Sequence, residues 1–171
     1  MRKLFILCAF LLQLLSPVYP QQATTATIEP NLKYGKPSKE ALSLTSYAPD
    51  TTATAIYLFH QGQSDFIYHD GFQLTTEHWV RIKILKPQGV SYADVSVPYY
   101  SPTDKDEGQE RASEIEGCSY NMENGKCIKT PMKRESISFE RFNNLYKILK
   151  FSLPAVKEGT IIEYHYKLLS L

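Results

Sequence analysis

Beyond residue 50 the chain repeatedly alternates apolar and polar positions with a period of two, the signature of strands with one buried face. Leu149, Phe151 and Leu153 fall on one face, and Pro154, which cannot donate to a ladder, ends the run. Lys157, Glu158 and Gly159 supply turn chemistry, with Gly159 free to take a positive φ. Ile162, Tyr164, Tyr166 and Leu168 then alternate with Glu163, His165 and Lys167. The clearest strand covers 76–86, where Val80, Ile82 and Ile84 alternate with Arg81, Lys83 and Leu85. Ala93, Val95 and Val97 mark another. Residues 55–60 and 65–68 read as two short strands separated by a turn at 61–64, and Asp70-Gly71 is a further turn signal. Asn124-Gly125 is the strongest two-residue hairpin signal and joins 115–122 to 126–130. Residues 136–142 and 145–153 flank Asn143-Asn144, and 102–112 read as a charged loop. Roughly eight short strands with frequent turns, no βαβ unit and no repeat predict an all-β fold. The expected architecture is an antiparallel β-sandwich, immunoglobulin-like in general architecture.

The first residues depart from this pattern. Met1-Arg2-Lys3 is a basic n-region, and the apolar stretch 4–15 is shorter than the ~20 residues that span a bilayer. This predicts a signal peptide over 1–22, cleaved between residues 20 and 23, and a periplasmic or extracellular product with no membrane attachment. Residues 23–46 read as a spacer with one helical turn, capped by Ser38 after Pro37. The sandwich domain then occupies 47–171. Removing Arg2 and Lys3 with the leader takes the formal charge from +1 to −1, a balance that gives no reason to expect a nucleic-acid partner.

Export invites a disulfide between Cys118 and Cys127, but the hairpin opposes it. If Asn124-Gly125 is the loop, Met122 faces Cys127 and Cys118 faces Pro131. The two cysteines then lie four residues apart along the ladder, ~13 Å at ~3.3 Å per residue, whereas a bridge needs Cα atoms within ~7 Å. Two reduced cysteines packed as small core residues are expected, and a bridge would require a longer loop or a slipped register.

No catalytic, cofactor or metal site is expected. Cys118 has no helix N-terminus to lower its pKa, and His165 is remote in sequence. His60, His69 and His78 are nine residues apart without a His-Glu-x-x-His pair, a spacing that suggests successive strand ends. Asp104, Asp106 and Glu107 precede Gly108, but Ile115 stands where a calcium loop needs its bidentate Glu. Among the 12 tyrosines, Tyr99, Tyr100, Tyr164 and Tyr166 are candidates for stacking sugars, although alternation assigns Tyr164 and Tyr166 to the core. Trp79 faces away from Val80 and Ile82, together with Arg81 and Lys83. These three residues are the candidate contact surface, toward sugar, protein or a neighbouring domain; the alternative is that Trp79 packs under a loop.

Five segments carry a resemblance. They are Tyr47-Ala48-Pro49-Asp50 with Ala53 and Ala55; Arg81-Ile82-Lys83-Ile84-Leu85; Tyr92-Ala93-Asp94-Val95-Ser96-Val97-Pro98-Tyr99; Tyr120-Asn121 ahead of Asn124-Gly125; and Lys150-Phe151-Ser152-Leu153-Pro154-Ala155-Val156-Lys157-Glu158-Gly159 with Ile162-Glu163-Tyr164. In order and spacing, 47–170 resembles the uncharacterised β-rich domain that precedes the transglutaminase-like core in exported bacterial proteins. The resemblance implies a non-catalytic accessory domain that packs against, or positions substrate for, a catalytic domain. Relatives of this type continue into a papain-like core with a Cys-His-Asp triad. Cys118 and Cys127 do not occupy its catalytic position, so the resemblance also implies a fragment or truncated product. A self-sufficient glycan- or peptide-binding module is the alternative.

Overall fold

The computed structural model describes residues 33–104 and 108–170. The leader, its cleavage site, the start of the spacer, and Asp106 and Glu107 of the acidic loop lie outside the described residues.

The described chain is a β-sandwich of two antiparallel sheets. One helical turn, α1 (Lys39–Ser43), comes first, and the side chain of Ser38 accepts a hydrogen bond from the Ala41 amide as expected of its cap. Strands β1 (Ala55–Tyr68) and β2 (Phe72–Ile84) form a long hairpin. A 3-10 turn leads into β3 (Asp94–Tyr100), followed by β4 (Glu110–Glu123), β5 (Lys126–Pro131), β6 (Ile137–Arg141), β7 (Tyr146–Ser152) and β8 (Ile161–Ser170). The larger sheet has the order β1-β2-β8-β4-β5, and the smaller has β3-β7-β6. The final strand is therefore central, hydrogen-bonded to β2 on one side and β4 on the other.

The core lies between the sheets. Val80, Ile82 and Ile84 of β2 and Ile162, Tyr164 and Tyr166 of β8 meet Val97, Tyr99, Leu149, Phe151 and Leu153 from the smaller sheet. All of these were placed on inward faces by period-two alternation, except Tyr99. The Asn124-Gly125 hairpin takes the derived register, pairing Met122 with Cys127 and Cys118 with Pro131. Both cysteines are free, but only Cys118 is buried, so Cys127 is not the core residue that was expected.

The region 55–68 differs from its sequence reading. The expected turn at 61–64 is absent: Gln61, Gly62, Gln63 and Ser64 continue the ladder opposite Trp79, His78, Glu77 and Thr76. This stretch lies on an edge strand with its side chains exposed, so its polar residues lose no hydration by being extended. The chain reverses at Asp70 and Gly71, both at positive φ, where the second turn signal lay. Strand β4 also begins earlier than expected, at Glu110, and passes through an irregularity between Ser113 and Glu116 where Glu114 has φ +50°.

Gly159 has φ +84°, the conformation its turn was expected to need. Its carbonyl, as shown below, is also a ligand of the charged network.

Candidate functional site: the strapped outer face of the larger sheet

Period-two alternation sends Trp79, Arg81 and Lys83 of β2 and Ile161, Glu163, His165 and Lys167 of β8 away from the core. The ladder registers then align them in rows. Phe59, Arg81, Glu163 and Cys118 form one row across β1, β2, β8 and β4. Lys83, Ile161 and Tyr120 form the next, and Trp79, His165 and Glu116 lie on the other side.

The segment 33–43 crosses this face as a strap. Three hydrogen bonds tie its main chain to the face. Arg81 Nη2 donates to the Lys33 carbonyl at 2.9 Å. The Gly35 amide donates to Glu163 Oε2 at 2.9 Å. Lys83 Nζ donates to the Leu42 carbonyl at 2.8 Å and to the Gly159 carbonyl at 2.6 Å. Ala41 is the buried residue of α1, packed with Cys118, Tyr120 and Ile161. Tyr34 meets His165 edge-on.

Under the strap, a full set of hydrogen bonds makes the burial of charge tolerable. Arg81 Nη2 lies 2.6 Å from Glu163 Oε1, and the two side chains are only 2% and 0% exposed. Arg81 Nε donates to the same oxygen at 3.0 Å, and the Tyr120 hydroxyl donates to Glu163 Oε2 at 2.9 Å. The Arg81 guanidinium also sits 4.7 Å from the Phe59 ring centroid. Taking two charges out of water costs several kcal/mol per ion, which is recovered only when every lone pair and proton finds a partner. Glu163 accepts from two side chains and one backbone amide, and so meets that requirement.

The same burial sets the protonation states. It pushes the Cys118 thiol above its ordinary value, which keeps the sulfur protonated and weakly nucleophilic at neutral pH. It pushes the Tyr34 and Tyr120 hydroxyls well up, with Glu163 adding to both. It lowers Lys83 to about 8. At the margin of the face, Glu77 lies 3.3 Å from His165 Nε2 and 3.1 Å from Lys167 Nζ, and Lys167 holds its carboxyl below the usual range.

The sequence-nominated trio is thus brought onto one face, but not as an open contact surface. Arg81 and Lys83 are buried, because the strap covers them and takes their hydrogen bonds. Trp79 is half-buried, with one ring face stacked on His165 at 5.0 Å. Glu163, Tyr120 and Gly35 were not singled out. A charge-matched pair on equivalent outward positions, Arg81 and Glu163, was the available signal.

The histidine spacing has a different origin from the one expected. His69 is beside the hairpin turn, while His60 and His78 are mid-strand residues almost equidistant from it, which brings their rings to 5.8 Å. No group of three or more metal-ligating side chains occurs among the described residues. Tyr164 and Tyr166 are core residues, and Tyr99 joins them. Between the sheets, a cleft of about 450 Å3 is lined by Ile115, Met132, Arg134, Ile137 and Phe139, a mainly apolar set without a nucleophile.

No family model matches the sequence, and no curated protein matches it. A crystal structure described as that of a "putative protease" from Parabacteroides distasonis is similar, with 11% identity and a TM-score of 0.49. The match covers 69% of this chain and 23% of that one, so this chain spans less than a quarter of that protein's length. At this distance the likeness says nothing about activity.

Proposed function

We propose that this chain is a non-catalytic accessory module of an exported transglutaminase-like protein. In this reading the sandwich packs against a catalytic domain outside this chain, or positions substrate for it. The supporting observation is the tip of the β1–β2 hairpin. Phe66, Tyr68 and Phe72 are 76%, 74% and 81% exposed, beside the exposed Ile67. Isolated exposed aromatics are ordinary, but a group on one hairpin tip marks a contact surface. Its charge points to a protein partner. No Lys or Arg lies between Ala55 and Val80, whereas Asp65, Asp70 and Glu77 do. An anionic lipid surface would repel such a hairpin, and an apolar protein patch with a basic rim would complement it.

The test is to express this chain together with the sequence its gene encodes downstream. The accessory role predicts a transglutaminase-like domain there and slowed hydrogen exchange at 65–73 when it is present. Replacing Phe66 and Phe72 by Ser should remove that protection. An unprotected hairpin, or glycan binding by the isolated chain through the same tip, would instead favour a self-sufficient binding module.

A further inference from the structure

The strap carries a conclusion independent of the accessory role. Three charged side chains address it, and each reaches a main-chain atom: Arg81 the Lys33 carbonyl, Glu163 the Gly35 amide, Lys83 the Leu42 carbonyl. Side chains of the strap also take part: Ala41 and Leu42 pack with Cys118, Tyr120 and Ile161, and Tyr34 meets His165 edge-on. The polar contacts read the main chain, while the side chains at Tyr34, Ala41 and Leu42 supply selectivity. Recognition requires a peptide that turns tightly, presenting a carbonyl and an amide two residues on, and then a short helical turn with a small residue toward the sheet. Gly35 has φ +83°, so a glycine suits that position.

We infer that the outer face of β2, β8 and β4 is a main-chain-reading peptide groove, occupied in cis by residues 33–43. The ligand class is a turn-forming peptide with an aromatic-Gly pair, followed by a helical turn that places a small residue where Ala41 lies. The cis occupant is built to leave without unfolding the sandwich. Its helix is five residues long, too short to persist in water by itself. None of the core residues between the sheets comes from the strap. When the strap departs, Arg81, Glu163 and Lys83 regain water, which stabilises the open state and lets a second peptide compete.

Cys118 reports the opening, because it is buried in the cluster that Ala41 closes. The experiment uses the full chain with Cys8 and Cys127 replaced by Ser, so that Cys118 is the sole thiol. Its labelling by a thiol reagent is followed across low denaturant concentrations, with and without Ala41→Glu, and with a synthetic peptide of residues 33–46 added in trans. The expected results are a labelling rate nearly independent of denaturant, at least tenfold acceleration by Ala41→Glu, and saturable slowing of that variant by the peptide but not by a scrambled one. In the unmutated chain, the Gly35, Ala41 and Leu42 amides should exchange faster than those of β8. Labelling with the denaturant slope of global unfolding would overturn the inference. So would strap amides that exchange together with β8, or a peptide without effect on the variant.

Discussion

Strand β8 has two buried faces that are stabilised by different physics. Inward, Ile162, Tyr164 and Tyr166 pack against Val80, Ile82 and Phe151, and the gain comes from apolar area removed from water, about 1.5–3 kcal/mol per fully buried side chain. Outward, Glu163 is equally inaccessible, but its burial is tolerable only because Arg81, Tyr120 and Gly35 saturate it. The apolar face is forgiving of detail, since any side chain of suitable volume preserves most of the gain. The charged face depends on each partner, and one of those partners is the backbone of a distant segment.

The largest effect should come from breaking the charged face on one side. Glu163→Gln leaves the Arg81 guanidinium buried without its counter-charge and should cost about 3–5 kcal/mol in denaturant unfolding. Replacing both, with Arg81→Met and Glu163→Leu, should recover most of that loss. A double variant as unstable as the single one would show that the pair is not the determining interaction. On the apolar face Ile162→Ala should cost about 2–5 kcal/mol, with no partner substitution that restores it.

A smaller effect is expected where the two faces share a turn. Gly159 holds positive φ, and its carbonyl binds Lys83. Gly159→Val should lower stability by about 1–3 kcal/mol, and an unchanged melting temperature would show that the turn relaxes freely.

Lys83 gives the comparison a pH signature. Burial lowers its pKa to about 8, against an unfolded value of about 10.4. Between these values the unfolded chain binds more protons than the folded one, so this residue's contribution to stability rises with pH. Cys118, with its pKa raised by burial, acts in the opposite direction as the unfolded thiol ionises. The difference between the parent chain and Lys83→Met isolates the lysine: the parent's stability relative to the variant should rise from pH 7 toward pH 10. A constant difference would mean that Lys83 keeps an ordinary pKa.

The smallest expected signal is none at all. Cys118 and Cys127 lie four residues apart along a regular ladder, so intact mass should be the same before and after reduction. A deficit of two hydrogens in the unreduced sample would overturn that register.

Local patterning alone determined the sandwich class, the inward residues of β2, β7 and β8, the Asn124-Gly125 register, the Ser38 cap and the positive φ of Gly159. Each follows from interactions within a few residues, either period-two burial or turn geometry. Continuity of β1 through 61–64 was settled by its partner, because an edge ladder with β2 outweighed a local Gly-containing turn signal. The fate of Trp79, Arg81 and Lys83 was likewise decided in three dimensions. Alternation correctly placed them on the outward face, and outward normally means solvated. Only the tertiary fold brings residues 33–43 across that face, aligns Glu163 beside Arg81 and aims Tyr120 at the same carboxylate. Those contacts span 41 to 128 positions in sequence, and no local pattern encodes a hydrogen bond to a main-chain atom so far away.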